Sequence, residues 1–170
     1  MANTDAAHGF NFYKRLGPGA GVPLVRVITE SNVTLAIGDA IFMSGGLAVT
    51  AAASHPAIFG VAQEAVTGAT GTRKSCAVIP ALPDIIFEAQ CDSAVSIAAV
   101  GSRFALTGTT GSMEIDSSTI QANGATTTSL APIRVIGKVP EDAWSSHADL
   151  LCVIAASQFT NGVCSASLAG

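Results

Sequence analysis

Three histidines, four cysteines and twelve carboxylates are the side chains with which this 170-residue chain could do acid–base, nucleophilic or metal chemistry. Hydrolysis by a side-chain nucleophile needs that nucleophile, a base and an orienting group gathered in one place. His8 lies in an N-terminal stretch rich in Gly and Pro, His55 stands beside Pro56 in an expected loop, and His147 sits two residues before Asp149 in another. A Cys76–His55 pair can be written down, but nothing local in the sequence supports it. The acidic residues are scattered. In Glu114-Ile115-Asp116 two carboxylates share one strand face and could touch a cation, although a solvated face accounts for them more simply.

The cysteines, Cys76, Cys91, Cys152 and Cys164, show no C-x-x-C and no Cys/His spacing suited to zinc. The first three fall inside apolar strand patterns, where a thiol behaves as a small hydrophobe, so reduced, buried thiols are expected; the even count leaves disulfides open. No phosphate loop, no G-x-G-x-x-G after a strand and no H-E-x-x-H helix is present. The expectation is a protein that is no enzyme, with no catalytic residues, no cofactor and no metal.

Composition bears on partners. Hydrophobic residues make up 49% of the chain, yet only 5% is aromatic and 12% charged, about half the usual charged share. Ser, Thr and Gly are left to cover the outside, and a surface so poor in charge is weakly protected against association. Partners or self-assembly are therefore expected. A formal charge of −4 argues against duplex binding, which needs clustered Lys and Arg, and only Lys14-Arg15 and Arg73-Lys74 are adjacent basic pairs. The N-terminus lacks the apolar core of a secretory signal, and Gly45 to Ala62 is too interrupted to cross a membrane, so neither nucleic acid nor membrane is expected as a partner.

The elements that must position these side chains read as strands. At this length about two thirds of the unfolded chain's surface can be buried in one domain without staples. Between Ala57 and Cys91, the apolar segments around Ile58–Ala62, Arg73–Ile79 and Ile85–Gln90 are joined by Thr67-Gly68-Ala69-Thr70-Gly71 and Pro80-Ala81-Leu82-Pro83-Asp84. Short β-branched runs between Gly, Pro and Asp clusters are strand signals, and prolines placed in turns lose no ladder N–H. Leu24 to Thr29, Val33 to Ile37, Ala40 to Met43, Val95 to Val100, Arg103 to Thr107, Met113 to Ile120 and Leu130 to Val139 continue the pattern. Ala48 to Ala53 could instead be one or two helical turns, because alanine is the best helix former. Pro140 to Asp149 reads as a loop or a single helical turn, and Leu150 to Ala156 as a strand buried on both sides. Asn123-Gly124 carries a hairpin signal within an expected exposed loop, Gln121 to Ser129.

These elements predict an all-β fold: a compact antiparallel β-barrel or β-tulip/sandwich over residues 24–159, with an extended N-terminal arm over 1–23 and a flexible tail over 160–170. The arm holds Phe10, Phe12 and Tyr13, three of the chain's nine aromatic residues. It could fold back on its own domain or lie on a neighbouring subunit.

Taken in order, the arm with His8-Gly9-Phe10, Ile37-Gly38-Asp39-Ala40-Ile41, Ile58-Phe59-Gly60-Val61-Ala62, Pro83 to Gln90, Ile115-Asp116-Ser117-Ser118, Ile133 to Gly137 and the closing Leu151-Cys152-Val153-Ile154 form a succession of features. In this succession the chain resembles the capsid decoration, or cement, proteins of tailed bacteriophages and their barrel-domain relatives, over roughly residues 8 to 159. The resemblance implies a virion protein made in the host cytoplasm. It would bind the capsid exterior as a homotrimer and stabilise the lattice of the major capsid protein, without catalytic residues. Phe10, Phe12, Tyr13 and Leu16 are then the expected anchors to the shell or to a neighbouring copy, since they combine apolar area with mobility before assembly. The alternatives are a phage tail or head-fibre component, or a small-ligand or carbohydrate-binding β-barrel. That last would use the loops around Thr107 to Gly111 and Gln121 to Ser129 as an adaptable rim, with a deep polar pocket holding Trp144 or Tyr13.

Overall fold

The computed structural model describes residues 3–17, 21–121 and 131–159, apart from the side chains of 117–121. In chain order the strands are β1 (Asn11–Arg15), β2 (Val25–Ile28), β3 (Ala40–Ser44), β4 (Leu47–Thr50), β5 (Gly60–Ala62), β6 (Ser75–Pro80), β7 (Ile85–Gln90), β8 (Arg103–Thr107), β9 (Glu114–Gln121), β10 (Ile133–Lys138) and β11 (Asp149–Ile154). The described residues contain no α-helix, only one 3-10 turn, Ile97–Ala99.

Two antiparallel sheets result. The larger has the order β1-β7-β11-β10-β8-β9 and the smaller β2-β6-β5-β3-β4. The fold is therefore all-β and sandwich-like, and the sheets do not close into a barrel. The edges of the smaller sheet do approach each other: a single parallel bridge, Thr29–Ala48, joins the end of β2 to β4. One bridge without a ladder curls the sheet but leaves it open.

Burial explains which segments are apolar throughout. The main core takes Phe10, Val61, Ile79, Phe87, Phe104, Ile115, Ile133 and Leu150, so it is fed from both sheets. A second cluster, with Val27, Leu35, Ile41, Ala62, Cys76 and Val78, covers the other side of the smaller sheet. β5 and β6 thus bury both faces, and Cys76 to Pro80 are all buried. Double-sided burial was expected of Leu150 to Ala156. β11 instead alternates, with Leu150, Cys152 and Ile154 buried and the residues between them half-buried, because only one of its faces looks into the core.

Other expectations are corrected in the same way. Leu47 to Thr50 is a strand rather than a helical turn, since its pairing with β3 outweighs alanine's helix preference. Val33 to Ile37 contributes only one bridge, Leu35–Val66, and Val95 to Val100 folds into the 3-10 turn capped by Ser96. Pro80 closes a strand instead of standing in a turn. The bond from Ala81 N to Phe59 O means that an N–H on residue 80 would face away from β5, and β2 begins only opposite Val78. No ladder bond is lost there. Pro140 to Asp149 is a loop that ends in β11. Asn123-Gly124, most of the Gln121–Ser129 loop, Cys164 and the 160–170 tail lie outside the described residues.

The N-terminal stretch is tied in by a backbone crossing. Gly9 (φ +75°) and Gly38 (φ +89°) lie against each other, with Phe10 N donating to Gly38 O at 2.8 Å. A Cβ on Gly9 would stand 2.8 Å from Gly38 C, so a glycine is required by contact as well as by φ. Beyond the crossing, β1 pairs with β7, and Phe10 meets Phe87 edge to face at 6.4 Å.

Candidate functional site

Residues 3–8 run across one end of the sandwich, held by three side-chain clips. Gln90, buried at the end of β7, accepts from Ala6 N at 2.8 Å and donates to Thr4 O at 3.0 Å, which uses both ends of its amide. Asn3 bonds to both backbone groups of Ala143. His8 accepts from the Asn11 amide at Nδ1, so its proton sits on Nε2, which donates to Asp149 Oδ1 at 3.1 Å. A cavity of about 360 Å³ opens between this stretch, Gln90, Asp142, His147 and Asp149.

The segment after β7 positions the facing groups. Cys91 bridges Ile115 and Asp92 N donates to Ile115 O, which sets Glu114 at the start of β9. Ala94 bridges Ser146 and Ser93 O accepts from His147 N, which sets His147. His147 has φ 55°, a left-handed backbone uncommon outside Gly, Asn and Asp. The clips on residues 3–8 then bring Asp5 over both, and the ligating atoms of Asp5, Glu114 and His147 lie within 4.8 Å of one another.

Electrostatically the cluster is under-compensated. Burial raises the Glu114 carboxyl above its ordinary range, Asp5 and Asp92 push it further, and His147 and His8 pull it back. Burial likewise raises Glu88, with Asp149 adding to the shift and His8 opposing it. Glu114 Oε1 and His147 Nδ1 are closed to solvent and find no hydrogen-bond partner among the described residues. Asp5 Oδ1 is 3.7 Å from His147 Nδ1, beyond hydrogen-bond range. A polar atom left unpaired in this way costs about 1–3 kcal/mol. A second grouping, His8, Glu88 and Asp149, also brings ligating atoms together, but there the His8–Asp149 hydrogen bond already joins two of its members.

The expected anchor residues separate. Phe10 is 1% exposed and so is not free to grip a partner, while Phe12 is partly buried against the same core. Tyr13 and Leu16 remain exposed, at 39% and 62%. The β1–β7 register slips between Phe12 and Lys14, which makes Tyr13 the extra residue of a bulge and turns it off the ladder. Val22, Leu24 and Ile28 are exposed too, the last on β2.

The other reactive groups stand apart from each other. His55 stacks on Phe42 at 4.2 Å and accepts from Ala52 N, while the Cys76 thiol donates to the Glu64 and Ala77 carbonyls within the smaller core. Burial raises the Cys76 thiol away from its reactive form, and Cys152, wholly buried, is raised further. Cys76 and Cys152 are buried free thiols, and Cys91 is buried as well. A second cavity of about 430 Å³ is lined by Thr50 to Ala53, Thr107 to Thr110, Leu106, Met113 and Asp116. Neither cavity has Trp144 or Tyr13 on its wall.

Sequence reasoning found Glu114 as a possible cation contact but placed Asp116 beside it. Asp116 lines the other cavity, and the true neighbours, Asp5 and His147, are more than a hundred residues apart in the chain. No local spacing could have joined them. No helix among the described residues is long and apolar enough to cross a membrane. No known protein family, characterised protein or solved structure matches the chain.

Proposed function

We propose that this chain is a virion structural protein, a capsid decoration protein that binds the outer face of a tailed-phage head as a homotrimer and stabilises the major capsid lattice. The observation that carries the reading is where the exposed apolar side chains fall. Of the ten large hydrophobic residues exposed among those described, five (Tyr13, Leu16, Val22, Leu24 and Ile28) lie between positions 13 and 28. They sit on or beside β1 and β2, which are edge strands of the two sheets. An apolar edge is a liability in a free monomer and a ready contact in an assembly. The sparse charge of the chain and the separation of its histidines from its thiols support the same reading.

The physical role follows from lattice geometry. A decoration protein spanning several shell subunits adds contacts present only in the closed lattice, and an interface of about 1,600 Å² repeated over many copies turns a modest affinity into large mechanical resistance. Tyr13 and Leu16 are the anchors this reading retains. Phe10 and Phe12 serve the fold that presents them.

The threonine-lined cavity favours a second reading, a small-ligand or carbohydrate binder with Thr107 to Thr110 on its rim. It lacks the aromatic wall such sites ordinarily use. One experiment separates the two. Purified protein is mixed with undecorated heads of the phage that encodes it and sedimented, and the free protein is sized by light scattering. Saturable co-sedimentation at a fixed copy number per head is expected, falling about tenfold or more in Tyr13→Ser/Leu16→Ser, the effect expected for exposed anchor residues. Protein that stays in the supernatant at every ratio overturns the reading. Removal of residues 1–20 is the poorer test, since it also deletes β1 and core residue Phe10.

A further inference from the structure

We propose that Asp5, Glu114 and His147 bind one divalent transition-metal ion of the zinc type, with water completing the shell, and that this ion fastens the N-terminal stretch to the sandwich. The donor set is one imidazole and two carboxylates, with ligating atoms within 4.8 Å of one another. Magnesium and calcium favour all-oxygen shells, whereas a mixed N/O set suits zinc. Two ligands about 2.1 Å from a tetrahedral centre lie about 3.4 Å apart. The 3.7 Å between Asp5 Oδ1 and His147 Nδ1 is too long for a hydrogen bond and close to that ligand–ligand edge.

The second, independent observation is the pair of orphaned atoms. Glu114 Oε1 and His147 Nδ1 are shut off from water and reach no donor or acceptor among the described residues. In the tautomer that leaves Nδ1 unprotonated, this nitrogen and the Glu114 oxygen are two acceptors without a donor, which one cation satisfies together. The neighbouring His8–Glu88–Asp149 group lacks this feature, because the His8 ring is engaged by Asn11 on one side and Asp149 on the other. The three ligands come from the N-terminal stretch, the start of β9 and the loop before β11, so the ion would cross-link three segments and add to the side-chain hydrogen bonds that already hold residues 3–8. The inference does not depend on the capsid reading.

The test uses the full chain stripped with EDTA and titrated calorimetrically with ZnCl2, with MgCl2 and CaCl2 in parallel and CoCl2 followed by visible absorption. One zinc per chain is expected, with cobalt absorption of tetrahedral intensity and slower amide exchange at residues 3–8 once zinc is bound. Loss of a group that merely orients a ligand already costs about 10–100-fold in metal affinity, so Asp5→Asn, Glu114→Gln and His147→Asn should each weaken zinc by at least about tenfold. Asp5 is 70% exposed, and asparagine tolerates the left-handed backbone at 147, so neither of those variants threatens the fold. Zinc that leaves both heat and exchange unchanged overturns the proposal. So does equal affinity in all three variants, or affinity lost in His8→Asn and kept in Glu114→Gln.

Discussion

Two single side chains show how burial sets charge behaviour here. Asp39 is fully buried and accepts from Ala36 N and Gly111 N, each at 2.8 Å, one donor to each oxygen. Burial raises its carboxyl above the ordinary value and the two backbone donors hold it down. Asp39→Ala strands both N–H groups and should cost about 2–4 kcal/mol in urea unfolding, with Asp39→Asn losing less because one acceptor survives. His55 behaves in the opposite sense. Burial lowers it below its usual 6.5, and its Nδ1, which accepts from Ala52 N, must keep a lone pair to do so. The unfolded chain then binds more protons than the folded one in the window below pH 6.5, so this contribution is present above that pH and fades as pH falls through the folded value. His55→Gln should flatten the stability profile just below pH 6.5, as read by thermal unfolding at fixed ionic strength. An unchanged slope would assign the pH dependence elsewhere. Both residues were visible in the sequence as reactive types, but their settings were not, since burial and a backbone donor from residue 111 are properties of the folded chain.

Strands show the next scale. The turn-bounded apolar runs predict β6, β7, β10 and β11 well, because local alternation and Gly/Pro/Asp punctuation reflect the pleat itself. Short pieces such as Val33 to Ile37 are misjudged, since a single bridge leaves too few ladder bonds to make a strand. Gly60 shows what packing demands beyond pattern. β5 lies so close to β6 that a Cβ at residue 60 would collide with the Ile79 carbonyl oxygen and approach Val78 Cγ1 to 2.6 Å. Backbone cannot yield as a side chain can. Gly60→Ala should therefore lose about 1–3 kcal/mol in chemical denaturation despite alanine's neutral size, whereas the same change at the open position Gly137 should cost less. Equal losses at both positions would sink the close-approach explanation.

For the whole molecule, the edges matter most. A two-sheet sandwich leaves β1, β9, β2 and β4 as outer strands, and the chain places half of its described exposed large hydrophobics around the first and third of these. The capsid reading depends on those edges being covered in an assembly, so shell binding and oligomer mass belong to this scale and are to be measured on the intact protein. Composition alone indicated that the surface would be lightly charged, and local pattern alone indicated an all-β chain. Which strands became neighbours was decided in three dimensions, because every backbone offers the same N–H and C=O and only the fit of buried side chains selects the partner. That selection sent Phe10 inward and left Tyr13 outside on a bulge, and it gathered Asp5, Glu114 and His147 from three distant segments. Chemistry assembled across such separations has no local signature; it exists only once the sheets have packed.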